Sequence, residues 1–522
     1  MRSARDVAQV RQAEAALMAQ VPEGALMERA ATGLVSTIIE ASGGAYGLRV
    51  VLLVGGGNNG GDALLAGALL ARRGARVDAV LLSAARHHHV ETLARAGGRI
   101  HPVSADAAPH AADAIAADAM VVDELADETW WQRADVVVDG ILGIGGSGGL
   151  REPAATAVDL IPGHAVVVSV DLPSGVEPDS GEVLGAAVHA DLTVCMGTYK
   201  PCLLVDPAAA HAGAVRLIDI GLDAYLPESS VEALQVDDVL ALLPWPDRDD
   251  DKYRRGAVGI VAGSERYPGA AVLSAAGAIR GGAGYVRCIA ARHVLDAVRS
   301  TFPEVVGHEA GVPTDISSAS EVLRAAGRVQ SYVVGPGLGT DSVAVALVAA
   351  VLATDVPVLV DADALAVLAD HRQLLAAVRD RTAPTLLTPH AGELARLLGA
   401  ERGDVEQRRL HHVRRAAAEL GATVLLKGST TLVAAADGSV AVRSNPTGTA
   451  WLGSAGSGDV LSGLAGAYLA CGLSALDAGS AAAFVHGVAG QMLSEGEMAP
   501  LRALDLAAAL PGAVATLREY LD

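Results

Sequence analysis

The stretch RVVLLVGGGNNGGDALLAGALLARRG, Arg49–Gly74, decides the fold class. Its first six residues are nearly all apolar and mostly branched, too short a run for a buried helix. They predict a strand covered on both faces, as in a parallel sheet. Gly55–Asp62 reads as a turn. The alanine- and leucine-rich run after it predicts a helix closed by Gly74. RVDAVLL (Arg76–Leu82) restarts the strand pattern, so the unit is strand–turn–helix–strand, the building block of a parallel α/β sheet.

The same alternation extends outward. Upstream, Val7, Val10, Ala13 and Leu17, then Leu26, Met27, Ala30, Leu34 and Ile38, recur at helical spacing. Downstream, DVVVDGILG (135–143), AVVVSVDLPSG (165–175), ADLTVCMG (190–197) and AVRLIDIG (214–221) read as strands ending in glycine or proline turns. The pattern pauses in ALLPWPDRDDDKYRRG, whose prolines and charge run predict a linker and a solvated loop. It resumes with AVGIVAGS, GYVRCIAA, SYVVGPGLG, VPVLVDADAL, PTLLTPHAGE and ATVLLKGSTTLVAA. The loop SNPTGTAWLGSAGSGD and the helix VLSGLAGAYLACG follow. Two αβα domains are expected, 1–225 and 250–522, with a linker over 226–249. In open α/β sheets ligands bind at the carboxyl ends of the strands, where nearly every Gly/Asp/His cluster of this chain falls.

Composition narrows the function. The 522 residues carry 39 Lys+Arg against 60 Asp+Glu, a formal net charge of −21. Nucleic acid and anionic membranes need a basic footprint, so both are excluded as partners. Mean hydropathy is +0.36, yet no run approaches the ~18–20 apolar residues of a spanning helix. The N-terminus MRSARDVAQVRQAEAALM has no apolar signal core, and four cysteines without a CxxC pair build no disulfide framework. A cytoplasmic protein is expected. High apolar content with few aromatics points to a homo-oligomer. Only three lysines occur, Lys200, Lys252 and Lys427, in a chain that otherwise uses arginine.

In the first domain, Gly55-x-Gly57-x-x-Gly60 has the form of a dinucleotide fingerprint. Asp62 counts against a pyrophosphate there, because its carboxylate competes for the positive helix end. Asp78, at the start of the second strand, is not where a ribose-binding acid belongs. Asn58, Asn59 and Asp62 instead suit a polar ligand and a hard cation. Asp139 in DGILGIGGSGG delivers a carboxylate beside glycines whose N–H groups can approach an anion. Asp171 and Ser174 in DLPSG suit a general acid–base and an oxygen ligand.

GGGNNGGD, DGILGIG and DLPSG, in that order, resemble the NAD(P)H-hydrate epimerase domain of the YjeF N-terminal type over about residues 1–225. The resemblance implies a Rossmann-like fold, a bound potassium ion, and interconversion of the R and S forms of NAD(P)H hydrated at C6. It implies potassium ligands at Asn59, Asp139 and Ser174. It implies a substrate pocket of Asn58, Asn59, Gly60, Gly61, Asp62, Gly143, Ile144, Gly145, Gly146, Ser147, Gly148, Gly149 and Asp171. Asp171 is the expected acid–base. Lys200, at a strand end in GTYKPCL, is either a second polar group or a surface lysine.

In the second domain, GSAGSGD (453–459) precedes an apolar helix, so its N–H groups can cradle a phosphoryl group and Asp459 can take a proton from a hydroxyl. Lys427–Thr431 at another strand end suits nucleotide phosphates, although no Walker A loop occurs. His390 and Glu393 lie in TPHAGE, and GPGLG (335–339) is a close-approach loop. Asp361 and Asp363 either face a magnesium–phosphate cluster or cap a helix. These motifs resemble the ADP/ATP-dependent NAD(P)H-hydrate dehydratase of the ribokinase-like superfamily over about residues 250–522. The resemblance implies phosphorylation of the C6 hydroxyl by ADP or ATP with Mg2+, followed by loss of phosphate to restore NAD(P)H, with ADP favoured. It implies Asp459 as base, hydrate contacts at Ala271, Gly337, His390 and Asp459, and nucleotide contacts at Lys427, Gly428, Ser429, Thr430, Thr431 and Gly458. The rivals are a ribokinase-like small-molecule kinase with an accessory domain, a dehydrogenase, and a non-enzymatic binding module.

Overall fold

The computed structural model describes residues 1–83, 87–103, 122–496 and 498–520. The chain divides into two compact units, Ser3–Ser230 and Val231–Asp522 together with Met1–Arg2. None of the described helices is long and apolar enough to cross a membrane.

The first unit is built on a seven-stranded, fully parallel sheet. Its order is Arg99–Pro102, Arg76–Leu81, Arg49–Val54, Val136–Gly140, Val166–Val170, Leu192–Met196 and Ala214–Ile218. Strand order therefore reverses between Arg49–Val54 and Val136–Gly140, the kind of switch point outside whose carboxyl ends open α/β sheets bind ligands. The glycine loops that follow these two strands meet there. A Cβ at Gly55 would run into the carbonyl of Ile141, so only glycine lets the loops approach so closely. The turn expected over Gly55–Asp62 is shorter than read: Asn58–Ala71 is helical from its first residue. Glycine is a poor helix former, but Gly60 and Gly61 are buried here, and packing outweighs propensity.

In the second unit the strand order is Val231–Ala233, Val442–Asn445, Thr431–Ala434, Thr423–Leu426, Thr385–Leu387, Val358–Val360, Ser331–Val334, Ala257–Val261, Tyr285–Ala290 and Val306–Glu309. The stretch from Thr423–Leu426 to Val306–Glu309 is parallel, while Thr431–Ala434 pairs antiparallel on both sides. Part of the expected linker is structured. Val231–Ala233 joins this sheet, and Leu234, Val239, Leu240 and Leu243 enter its core, because their apolar side chains recur at helical spacing over Val236–Leu242. Asp247–Asp251 remains a solvated loop.

Helices Pro268–Arg280 and Ser457–Ala470 cross almost backbone to backbone. A Cβ on Gly463 would collide with the carbonyl of Ser274, and one on Gly277 with that of Val460. This contact fixes the helix that carries Asp459.

Candidate active sites

In the first unit, Asp139 ends its strand fully buried. Oδ2 accepts from Ser169 Oγ at 2.7 Å and Ser174 N at 2.9 Å; Oδ1 accepts from Ser174 Oγ at 2.6 Å and Ile141 N at 3.2 Å. Burial raises its pKa despite these four donors. Asn59 Nδ2 donates to Val170 O at 2.5 Å and Leu142 O at 3.2 Å. A Cβ on Gly143 would strike Asn59 Oδ1, so that glycine leaves room for the amide. Asn59, Asp139 and Ser174 are thus brought together with the carbonyls of Leu142 and Val170, a set of hard oxygens around one buried carboxylate.

Asp171 follows the next strand at φ +69°, a conformation rare for a residue with a side chain. Its Oδ1 accepts from Met196 N at 2.9 Å and pairs with the ammonium of Lys200. Lys200 is not at the surface: its side chain is 1% exposed. Burial pulls its pKa down, but Asp171, Cys195 and Glu14 more than reverse this and the net shift is upward. Asp62 is 8% exposed. Burial, then the charges of Asp171 and Glu14, push its pKa up to about 8, so at neutral pH it keeps its proton. The Gly143–Gly149 loop is held from beneath, with Gly148 N donating to the Glu177 carboxylate and Gly149 closing on Gly185. Gly145 and Ser147 are exposed along it, and Ile144 leans on the apolar cluster around Leu172.

In the second unit five strand ends converge. Asp361, 1% exposed, accepts from Lys427 Nζ at 2.7 Å on Oδ1 and from Ser462 Oγ at 2.6 Å on Oδ2. Its side chain caps no helix; it ties the Lys427 loop to the Ser457–Ala470 helix. Asp363 opens the following helix, and its Oδ2 accepts from Gly339 N of GPGLG at 2.9 Å. Lys427 Nζ lies 3.8 Å from Glu393 and beside Gly458. Burial lowers its pKa, and Asp361 and Glu393 raise it further than that.

Asp459 stands in the first turn of its helix, after Gly456 at φ +90°. Burial, then Asp361, raise its pKa to about 7 against the pull of Lys427. It lines a cleft of 510 Å³ with Gly337, Asp363, Gly456, Ala270, Tyr267 and Arg266. Ala271, expected to touch the hydrate, is fully buried and its side chain faces the core; Ala270 forms the wall instead. The helix period turns Ala271 about 100° beyond Ala270, toward the sheet rather than the cleft. His390 caps the helix Ala391–Leu398, with Nδ1 accepting from Gly392 N at 3.0 Å and Glu393 N at 3.2 Å. The exposed remainder of the ring lines a neighbouring 290 Å³ pocket with Asp363 and Glu393.

Within Lys427–Thr431, Gly428 and Ser429 are exposed while Thr430 and Thr431 are buried. Buried Arg409 shapes that loop: Nη2 donates to the carbonyls of Leu426, Lys427 and Thr430 at 3.0–3.3 Å. Arg409, Ser462 and Glu14 had no sequence signal of a role, since each acts through a contact distant in the chain. Lys200 and Lys427 had one, their survival among so many arginines.

The two sheet edges define a two-unit α/β enzyme, a Rossmann-like unit followed by a ribokinase-like one. A family model described as the YjeF-related protein N-terminus matches residues 23–202, and one described as NAD(P)H-hydrate dehydratase matches 258–512. A Mycobacterium leprae protein named bifunctional NAD(P)H-hydrate repair enzyme Nnr is 45% identical over 493 residues, 93% of each chain. The Mycobacterium tuberculosis protein of that name is 44% identical, over 91% of this chain and 90% of its own. The solved ADP/ATP-dependent NAD(P)H-hydrate dehydratase of Bacillus subtilis, co-crystallised with ATP/Mg2+, is 28% identical, covering 55% of this chain and 99% of its own at a TM-score of 0.49. The chain belongs to the family of bifunctional NAD(P)H-hydrate repair enzymes.

Proposed function

We propose that the first unit interconverts the R and S epimers of NAD(P)H hydrated at C6, and that the second dehydrates the S epimer with a nucleotide as phosphoryl donor. The observation that carries the reading is the pair of carboxylates, the buried strand-end Asp171 and the cleft-lining helix-start Asp459, in a chain 45% identical over 93% of its length to a protein named a bifunctional NAD(P)H-hydrate repair enzyme.

In the first unit the C6 hydroxyl leaves as water when it gains a proton, the ring nitrogen supplying the electron pair that holds C6. Water returns on the other face and loses a proton. Asp171 is the base of this cycle, and Asp62, still protonated at neutral pH, is suited to donate. Asn58–Asp62 and Gly143–Gly149 line the pocket. The oxygen set of Asn59, Asp139 and Ser174 fits potassium: Asp139 is a buried charge that no cationic side chain meets among the described residues, and a large monovalent cation would compensate it.

In the second unit Asp459 takes the proton of the C6 hydroxyl as that oxygen attacks the terminal phosphorus of the nucleotide. Phosphate then leaves C6 with its bonding pair, the C5 proton departs, and the 5,6 double bond of NAD(P)H is restored. ADP yields AMP and phosphate; ADP is the donor we favour over ATP. Lys427–Thr431 and Gly458 hold the nucleotide, and Gly337, His390 and Asp459 the hydrate. Mg2+ fits as a companion of the nucleotide phosphates. Among the described residues no three His, Cys, Asp or Glu side chains gather to hold a metal, and Mg2+ commonly takes only one or two carboxylates plus phosphate oxygens. Asp363 has one carboxyl oxygen to offer. The cytoplasm is the compartment and a homo-oligomer the state we expect; light scattering of the purified protein tests the latter.

The deciding assay mixes R and S hydrates of NADH with Mg2+, K+ and ADP and follows NADH absorbance. Full recovery, faster than spontaneous epimerisation, is expected. Recovery of the S fraction alone would remove the epimerase, and no recovery with ADP or ATP would leave a kinase.

A further inference from the structure

Lys200 has no part in the scheme above, yet its ammonium is buried and closely held. A lysine ammonium taken out of water must be met by charge and hydrogen bonds or it is not tolerated. All three donors of this one are accounted for: Asp171 Oδ1, Met196 O at 3.1 Å and Cys195 Sγ at 3.9 Å. Asp171 is held in turn. Its Oδ1 takes both Lys200 and Met196 N, while Oδ2 receives no hydrogen bond from the described residues. Its positive φ persists only because its surroundings over-determine it: these two donors hold the side chain, and its own N–H donates to Val194 O at 2.8 Å.

Several charged groups share this space. Asp62 reaches in from the helix Asn58–Ala71 and Glu14 from the helix Val7–Met18, with Arg11 beside Glu14. The thiols of Cys195 and Cys202 and the carboxyl of Asp179 complete the neighbourhood. Asn59 and Asp62 lie three apart on one helix face, and Asn59 touches the carbonyl of Val170, the residue before Asp171. Asp171 and Glu14 both act on the one buried ammonium, and Asp171 is the one that touches it.

We propose that Lys200 is the positioning residue of the epimerase site. It fixes Asp171 through Oδ1, supplies the adjacent positive charge that favours the carboxylate, and leaves Oδ2 for the substrate. The proposal rests on the epimerase reading.

The test is the pH profile of R-to-S conversion of hydrated NADH by the full-length protein. In Lys200→Met, kcat is expected to fall at least about tenfold and its acid limb to move up by roughly 1–3 pH units, the effect of losing an adjacent opposite charge. KM should stay within about twofold, since the substrate does not touch Lys200. Lys200→Arg is expected to keep the acid limb in place but not the rate, because a planar guanidinium restores the charge without the geometry. Dehydration of pure S hydrate at the second site checks the preparation. An acid limb unmoved in Lys200→Met overturns the proposal. Should that variant fail to fold, wild-type kcat in Lys200→Arg overturns it equally. A wild-type protein that does not epimerise overturns the epimerase reading instead.

Discussion

Each unit sets a lysine, a strand-end carboxylate and a glycine-led helix at one sheet edge, and each connects them differently. In the first unit the ammonium of Lys200 touches the expected catalytic carboxylate, Asp171, itself. In the second, Lys427 touches Asp361, and the expected base, Asp459, has no direct partner among the described residues. The contrast matches what each reaction needs. A base that must accept a proton from water in a crowd of carboxyls benefits from its own counter-charge. A base that removes a hydroxyl proton during phosphoryl transfer works best with a pKa near the working pH, and burial beside Asp361 takes Asp459 to about 7.

The sharpest way to break this comparison is to remove each base separately. Asp459→Asn is expected to lower dehydration by about 10²–10⁴-fold while leaving R/S exchange intact. Asp171→Asn should do the reverse. Stopped assays on the two pure epimers separate them, and loss of both activities in either variant would end the two-site reading.

Next in size is the helix crossing that places Asp459. Gly463→Val forces a side chain against the carbonyl of Ser274 and should cost about 1–3 kcal/mol, the range for overpacking. Calorimetry would register a lower Tm for a transition that still includes an unchanged first unit.

Lys427 sharpens the pH side of the contrast. Dehydration by wild type should decline as pH falls through about 7, because Asp459 must be ionised to act as base and its folded pKa is raised to about 7. Lys427→Gln removes a positive charge that lowers this pKa, so the limb should move upward by up to about one unit. A limb unmoved, or moved downward, would mean that Lys427 does not act on Asp459.

The smallest effect concerns Arg266, the cation among the residues that line the 510 Å³ cleft, whose guanidinium lies 5.1 Å from the ring centre of Tyr267. The substrate is a polyanion. Arg266→Gln should raise KM for the hydrate by roughly three- to tenfold, the worth of one charge-assisted hydrogen bond at an exposed site, with kcat unchanged.

Much of this arrangement is legible before folding. The parallel strands announce themselves as short apolar runs, and Asp139, Asp171, Asp361, His390 and Lys427 all fall just where those runs stop. That follows from local chemistry: a buried strand must be apolar, and polar chemistry can resume only where it leaves the sheet. Less legible was NNGGD, read as turn because glycine disfavours helices, yet helical because Gly60 and Gly61 pack against the sheet. The inward turn of Ala271 was equally hidden, since two neighbouring alanines differ only in which side of the helix meets the cleft.

The sequence by itself determined two α/β units, the positions of their strand ends, and the residues those ends could present, because hydrophobic period and turn chemistry are encoded within a few residues. Only the tertiary structure decided which charges meet. Lys200 reaches Asp171 because their strands are neighbours in the sheet. Lys427 reaches Asp361 across the strand Thr385–Leu387, which lies between theirs. Strand order and register are products of packing the whole sheet, and an ion pair between residues 66 apart has no local trace in either partner.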